Sequence, residues 1–160
     1  MKYAYRHHYD CAIQFDADGQ HLPEYIPLLE KAVQENDIAI GSRFVSKKKP
    51  SSMRMLGSNL IEVAIKLTTG ETIKDPTSGM RAFNGRMIEQ MAKGLNFGPE
   101  PDTVSYLIKR ADAKVVEVPV EMAERTAGES YLNLGNSAKY MLRMTVSILF
   151  MQVIRKRIGR

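Results

Sequence analysis

Gln14-Phe15-Asp16-Ala17-Asp18-Gly19-Gln20-His21 sets two carboxylates one residue apart on a Gly-containing turn. The apolar run just before it, Cys11-Ala12-Ile13, has the make-up of a buried strand. Pro23, just after it, stands where a first helical turn would begin, a place where its missing N–H costs nothing. The two acids are therefore expected at the carboxyl end of a strand, on the turn into a helix. In open α/β sheets that edge collects ligands. Two carboxylates and the Gln20 amide supply hard oxygens suited to Mg²⁺ or Mn²⁺ carrying a diphosphate. Solvated turn residues are the plain alternative. An EF-hand loop is excluded. With Gly19 on that loop's invariant glycine, Asp16 and Asp18 fall on ligand positions, but Gln14 falls on the first ligand and Tyr25 on the bidentate Glu. His21 is either a further ligand or a helix-start histidine making a local hydrogen bond, and the second is expected.

The chain has 160 residues, enough for one domain with a core. Its 44% hydrophobic and 26% charged residues are ordinary for a globular domain. The opening Met1-Lys2-Tyr3-Ala4-Tyr5-Arg6-His7-His8 is polar, so no signal peptide is expected, and it reads as the tail of a helix. The single cysteine, Cys11, excludes an internal disulfide, fits a reducing compartment and reads as a small core residue. A net charge of +5 favours anionic partners: nucleotide phosphates, acidic headgroups or nucleic acid. Nucleic acid is set aside, because the aromatic residues do not interleave with the lysines and no nucleic-acid motif is present.

Residues 23–35 read as a helix burying Tyr25, Ile26, Leu29, Ala32 and Val33, closed by Asn36 in left-handed backbone. Residues 37–41 read as the next strand, and a right-handed crossover would pair it in parallel with the first. Arg43 then lands on the same sheet edge as Asp16 and Asp18, where it favours phosphate contact. Residues 45–52, with Lys47, Lys48 and Lys49, are either a solvated linker or a mobile flap over an anionic ligand. Residues 53–69 read as a helix with Leu56, Leu60, Val63, Ala64 and Leu67 inward, stopped by Gly70. Arg54 and Ser58, four apart in its first turns, could meet a phosphate at the helix N-terminus.

Residues 74–84 are expected to be a turn fixed by Pro76 and Gly79, crowded with Asp75, Thr77 and Ser78. A short helix at 86–93 follows, then an acidic corner at 97–102 whose Asp102 would cap the helix running to Arg110. Residues 114–120 read as a strand whose Pro119 leaves one edge unpaired. The last segment, 136–158, reads as a long helix with a stripe of Tyr140, Met144, Ile148, Met151 and Ile154 and a basic end at Arg155, Lys156 and Arg157. Its apolar run is too short to span a membrane. The stripe either packs on the domain or lies in a membrane interface.

In this order the pieces resemble the inverting family 2 glycosyltransferases, in particular the dolichyl-phosphate mannosyltransferase and polyprenyl-phosphate glycosyltransferase branch. The likeness runs from about Tyr9 to Ser130. It rests on Asp-Ala-Asp-Gly-Gln-His at 16–21, Ile-Gly-Ser-Arg-Phe at 40–44, Asp-Pro-Thr-Ser-Gly-Met-Arg at 75–81 and Glu-Val-Pro-Val at 117–120, with Glu124-Arg125, Gly128 and Ser130 beyond. The resemblance implies the C-terminal part of an α/β, GT-A (Rossmann-like) mixed sheet flanked by helices, with a partial catalytic domain at 1–130 and an amphipathic, basic helix at 131–160. It implies Asp16 beside the nucleotide, with Asp16, Asp18 and Gln20 around Mg²⁺ or Mn²⁺. It also implies Arg43 and Arg54 near phosphates, Asp75 and Arg81 lining the acceptor side, and Arg125 and Ser130 in a closing loop. Glu100 is the candidate base if the acceptor is a glycan hydroxyl; a lipid-phosphate acceptor needs none.

Family members open on a strand that helps hold base and ribose, and nothing before Tyr9 matches it. The expectation is a fragment with weak or no activity and an open sheet edge, covered by a homodimer partner or another chain. The working function is metal-dependent transfer of a sugar from a nucleotide-sugar donor to a polyprenyl phosphate or cell-envelope glycan, at the cytoplasmic inner face of a membrane with peripheral association. A catalytically inactive metal- or phosphate-binding half-domain, acting beside a partner chain, is the alternative.

Overall fold

In the computed structural model the described residues are 1–94, 98, 100–123 and 134–154; the side chains of 53, 54, 134–138 and 151–154 lie outside that description. The order is α1 (Lys2–Arg6), β1 (Cys11–Gln14), a 3-10 turn (Pro23–Tyr25) running into α2 (Ile26–Ala32), β2 (Ile38–Ser42) and α3 (Met53–Thr69). Then come β3 (Arg81–Asn84), α4 (Gly85–Lys93), α5 (Pro101–Ala111), β4 (Val115–Pro119) and α6 (Leu134–Ile154). The fold is α/β, a four-stranded mixed sheet flanked by helices.

The sheet order is β1-β3-β2-β4, with β3 antiparallel to both β1 and β2, and β4 parallel to β2. This corrects the expected pairing of the first two strands. They run in the same direction, but β3 lies between them. The stretch read as a turn ends in a strand, Arg81-Ala82-Phe83-Asn84, too short and too polar at its ends to announce itself. Its centre is buried on both sides, as an inner strand's must be.

Side-chain alternation on β2 divides the core. Ile38 and Ile40 join Phe83 and residues of α3, α4, α5 and α6 on one face. Ala39 joins Ala82, Met80, Val118 and the α2 residues Leu29 and Val33 on the other. Asn36 closes the α2 end through its side chain, whose Nδ2 donates to the Ala32 carbonyl at 3.0 Å. It does not adopt left-handed backbone.

On α3, Ser52 caps the N-terminus by accepting from the Met55 N–H, and Gly70 ends the helix at φ +85°. The face turned inward is Met55, Ser58, Ile61, Ala64 and Ile65, so of the five residues expected inward Ala64 alone is buried. Leu56, Leu60, Val63 and Leu67 are all half or more exposed. Two apolar stripes at helical spacing share this helix, and the one rich in isoleucine and small residues took the interior. Gly57 shows why: a Cβ there would lie 2.5 Å from Met141 Cγ, so α6 closes down on it.

Tyr140, Met144 and Ile148 of the α6 stripe pack onto the domain, the first of the two readings open for that stripe. Two hydroxyls fasten α6 to the start of α5. Tyr140 donates to the Glu100 carboxylate and Ser147 Oγ to Asp102 Oδ2 at 2.7 Å. Asp102 is thus engaged by α6; the α5 N-cap position is Glu100, without a side-chain cap. Met151 and Ile154 side chains and residues 155–160 lie outside the described residues.

Candidate functional site

The strand pairing brings four segments to one end of the sheet. β1 and β2 finish there, leading to Asp16 and Arg43, while antiparallel β3 begins there with Arg81, paired to Gln14 and Ile40. β4, parallel to β2, also ends at this edge.

Asp16 and Asp18 sit in the turn after β1. Gly19 takes φ +81°, a left-handed conformation that suits glycine. Asp18 Oδ1 accepts from the Gln20 N–H at 3.1 Å, which tightens the turn. His21 is buried, and its Nδ1 accepts from the Asp16 N–H at 2.9 Å, the local bond expected of it. The Asp16 side chain remains 54% exposed. Among the described residues no group of three or more His, Cys, Asp or Glu is gathered to hold a metal ion. The turn itself offers two carboxylates and the Gln20 amide. That hard-oxygen set fits a Mg²⁺ or Mn²⁺ that keeps several waters and draws its remaining ligands from a substrate diphosphate.

Asp75 is wholly buried and held from three sides. Arg43 Nε and Nη2 each donate to its carboxylate at 2.8 Å, and the Arg43 backbone N–H adds a third bond at 3.1 Å. Glu117 on β4 accepts from the Lys74 and Asp75 N–H groups, both at 2.8 Å, and fixes the backbone beneath. The Asp75 carboxylate raises the Arg43 pKa above the ordinary arginine value. Ser78 Oγ donates to the Gly41 carbonyl at 2.6 Å. A pocket of about 170 Å³ opens beside this pair, between Arg43, Lys47, Tyr25 and Glu121.

Arg81 is 2% exposed. Its guanidinium donates to the Pro76 carbonyl at 2.8 Å and the Glu100 carbonyl at 3.2 Å. Burial pushes its pKa down, while Tyr140, Glu100, Asp75 and Asp16 around it oppose that shift. It therefore acts from beneath the edge, as a strut and a positive charge that joins Asp16, Asp75 and Glu100 in one electrostatic neighbourhood. The Glu100 carboxylate is occupied by Tyr140, whose pKa is raised by burial and by that hydrogen bond.

Ser58 is fully buried near the start of α3, and its hydroxyl has no hydrogen-bond partner among the described residues. The Arg54 side chain lies outside the described residues, as do Arg125 and Ser130. The lysine loop is tied down: Lys47 pairs with Glu121, and Lys49 with Glu62 and Asn59. Sequence reading overlooked two residues at this edge. Glu117 looks like an ordinary strand glutamate. Gly79 read only as a turn former, yet a Cβ there would lie 2.2 Å from Asp16 Oδ2.

No protein-family model matches the chain. It is 31% identical over 147 residues to the undecaprenyl-phosphate mannosyltransferase of Micrococcus luteus. It is 38% identical over 131 residues to the dolichol-phosphate mannosyltransferase of Pyrococcus furiosus. It is 29% identical over 141 residues to the undecaprenyl-phosphate 4-deoxy-4-formamido-L-arabinose transferase of Edwardsiella ictaluri. These matches take in 86%, 77% and 88% of this chain, and 59%, 36% and 40% of the respective relatives.

Proposed function

The chain is homologous to part of the polyprenyl-phosphate glycosyltransferases, and on that footing we propose that it serves transfer of a sugar, with inversion, from a nucleotide-sugar donor to a polyprenyl phosphate at a membrane surface. The observation that carries this reading is the gathering of Asp16, Asp18, Asp75, Arg43 and buried Arg81 at one end of the sheet.

In such a transfer the bond from the anomeric carbon to the donor diphosphate breaks, and its electron pair leaves with the diphosphate. The phosphate oxygen of the acceptor forms the new bond from the opposite face. The leaving group's growing negative charge sets the demand on the site. Asp16, Asp18 and Gln20 would hold Mg²⁺ or Mn²⁺ there; when bound, the ion supplies electrostatic stabilisation to the departing diphosphate. Arg81 adds a fixed positive charge from below, in surroundings that exclude water. The acceptor phosphate is already anionic and needs no general base. This agrees with a Glu100 carboxylate committed to Tyr140. A lipid-linked acceptor calls for peripheral contact with a membrane, and the exposed leucines of α3 favour it. Among the described residues no helix is long and apolar enough to cross one.

The test is isothermal titration of the chain with UDP- and GDP-sugars, with and without Mn²⁺. Weak binding that requires Mn²⁺ and disappears in Asp18→Asn supports the reading. Binding indifferent to Mn²⁺, or none with any donor, overturns it.

A further inference from the structure

We propose that His21 is a positioning residue for Asp16, working together with the space left by Gly79. Its bearing on function rests on the reading of Asp16 as a ligand of the donor site. The imidazole is 5% exposed and sits directly under the Asp-x-Asp turn. Because Nδ1 accepts from the Asp16 N–H, the ring proton of the neutral side chain belongs on Nε2. Nε2 lies 3.7 Å from Asp16 Oδ2: too long for a hydrogen bond, close enough for electrostatic attraction. One ring therefore addresses both the backbone and the carboxylate of the same residue.

The imidazole is itself immobilised. Phe15 meets it edge-on with ring centroids 5.3 Å apart. His21 forms a β-bridge with Met122, and the Ala123 N–H donates to the Gln20 carbonyl at 3.0 Å. Gly79 borders the corner between this carboxylate and the imidazole. A Cβ on it would come within 2.2 Å of Asp16 Oδ2 and 3.2 Å of His21 Cε1. The carboxylate thus lies in a slot beside the imidazole, in a corner that stays open because residue 79 carries no side chain. An aspartate with this much solvent exposure would otherwise sample several χ1 rotamers, and freezing it on ligand binding would cost entropy. The slot removes that cost in advance. It also makes Gly79 part of the donor site, although no side chain at 79 can touch a ligand.

Nuclear magnetic resonance tests the arrangement without any metal. The His21 ring nitrogens report the tautomer, and three-bond couplings report the Asp16 χ1 populations. The wild-type chain is expected to show an unprotonated Nδ1 and one dominant Asp16 rotamer. His21→Asn, whose Oδ1 can replace Nδ1 as acceptor, should keep that rotamer, whereas His21→Phe and Gly79→Ala should give averaged couplings. Mn²⁺ affinity, read from the electron paramagnetic resonance of the free ion, is expected to fall by about tenfold or more in the Phe and Ala variants and only slightly in His21→Asn. A protonated Nδ1 in the wild type, or an unaltered Asp16 rotamer in both His21→Phe and Gly79→Ala, overturns the proposal. If His21→Phe fails to fold, the wild-type ring nitrogens and the Gly79→Ala couplings still decide it. A wild-type chain that shows the tautomer and rotamer but binds no Mn²⁺ upholds the positioning and refutes the metal reading of the turn.

Discussion

Arg43 holds Asp75 through two parallel hydrogen bonds, Nε to Oδ2 and Nη2 to Oδ1, each 2.8 Å, with Asp75 fully buried and Arg43 about a quarter exposed. A fork of this kind fixes direction as well as charge. It also means that Arg43 reaches a phosphate only if the pair is shared or opened. Arg43→Ala would strand a buried carboxylate, and the loss of stability is expected to be about 3 kcal/mol. Asp75→Asn should cost less, because the freed guanidinium can turn to solvent while the amide oxygen still accepts. Urea unfolding of both variants checks the order; an Arg43→Ala midpoint equal to wild type would show that the pair contributes little.

The opposite end of the sheet is fastened by Asp37, which accepts from Arg86 Nε at 2.9 Å and Nη2 at 2.5 Å, from Asn84 Nδ2 at 3.0 Å and from the Lys114 N–H at 2.8 Å. Burial alone would raise its pKa, but these donors outweigh it and bring the value from 3.8 to about 2. A carboxylate depressed on folding stabilises above its unfolded pKa, and that share is lost as pH falls through the folded one. About 2 kcal/mol should therefore disappear between pH 4 and 2. Asp37→Asn lacks this titration, so its stability should be lower at neutral pH and flatter across that window. Chemical denaturation at stepped pH measures both. Parallel acid profiles for the two proteins would refute the assignment.

Gly57 of α3 lies directly against Met141 of α6. An alanine there would come 2.5 Å from Met141 Cγ and 3.0 Å from Met141 Cβ, so α6 must shift slightly to admit it. A valine adds two more carbons in the same gap and must push the helices apart. Gly57→Val is expected to cost about 1–3 kcal/mol and Gly57→Ala less, by thermal unfolding. Hydrogen exchange should localise the loss to α6 amides in the valine variant. Uniform change across the sheet would argue against a local wedge.

How far the sequence could be read follows from where its signals lie. Strand, Gly-turn and helix around Asp16 were legible, because apolar run, glycine and proline each act locally. β3 was not, since four residues bounded by Arg81 and Asn84 gain strand character only from neighbours on both sides. The inward face of α3 was misread for a related reason. Leu56-Leu60-Val63-Ala64-Leu67 and Ile61-Ala64-Ile65 both satisfy a helical period and share Ala64, and the choice between them is made by α6 and the sheet. At the site, Asp16, Asp75, Arg43 and Arg81 were named from the sequence, but not that Arg43 is locked onto Asp75 or that Arg81 is buried. Those are properties of tertiary neighbours: Asp75 stands 32 residues from Arg43, and Arg81 is enclosed by segments as far off as Glu100 and Tyr140.

The displaced α3 stripe offers a test of the proposed membrane contact. Gly57 marks the line where α3 meets α6, and Leu56, Leu60, Val63 and Leu67 lie on the flank of that line away from the sheet. On α6, Tyr140 and Ser147 face α5, whereas exposed Leu142, Val146 and Leu149 lie on the other side of the buried Met141, Met144 and Ile148 line, toward α3. The two sets border one seam, and exposed Lys66, Lys139 and Arg143 stand on the same helices. An apolar surface with basic neighbours suits an interface of acyl chains and anionic headgroups. Leu60→Glu and Leu142→Glu alter exposed positions and should leave the fold intact. Each is expected to weaken flotation with anionic vesicles by roughly tenfold or more, since the lost burial of a leucine outweighs a single ion pair at the surface. Truncating α6 would be a poorer test, because Met144 and Ile148 belong to the core. If both glutamate variants float as the wild type does, the seam is not the membrane contact.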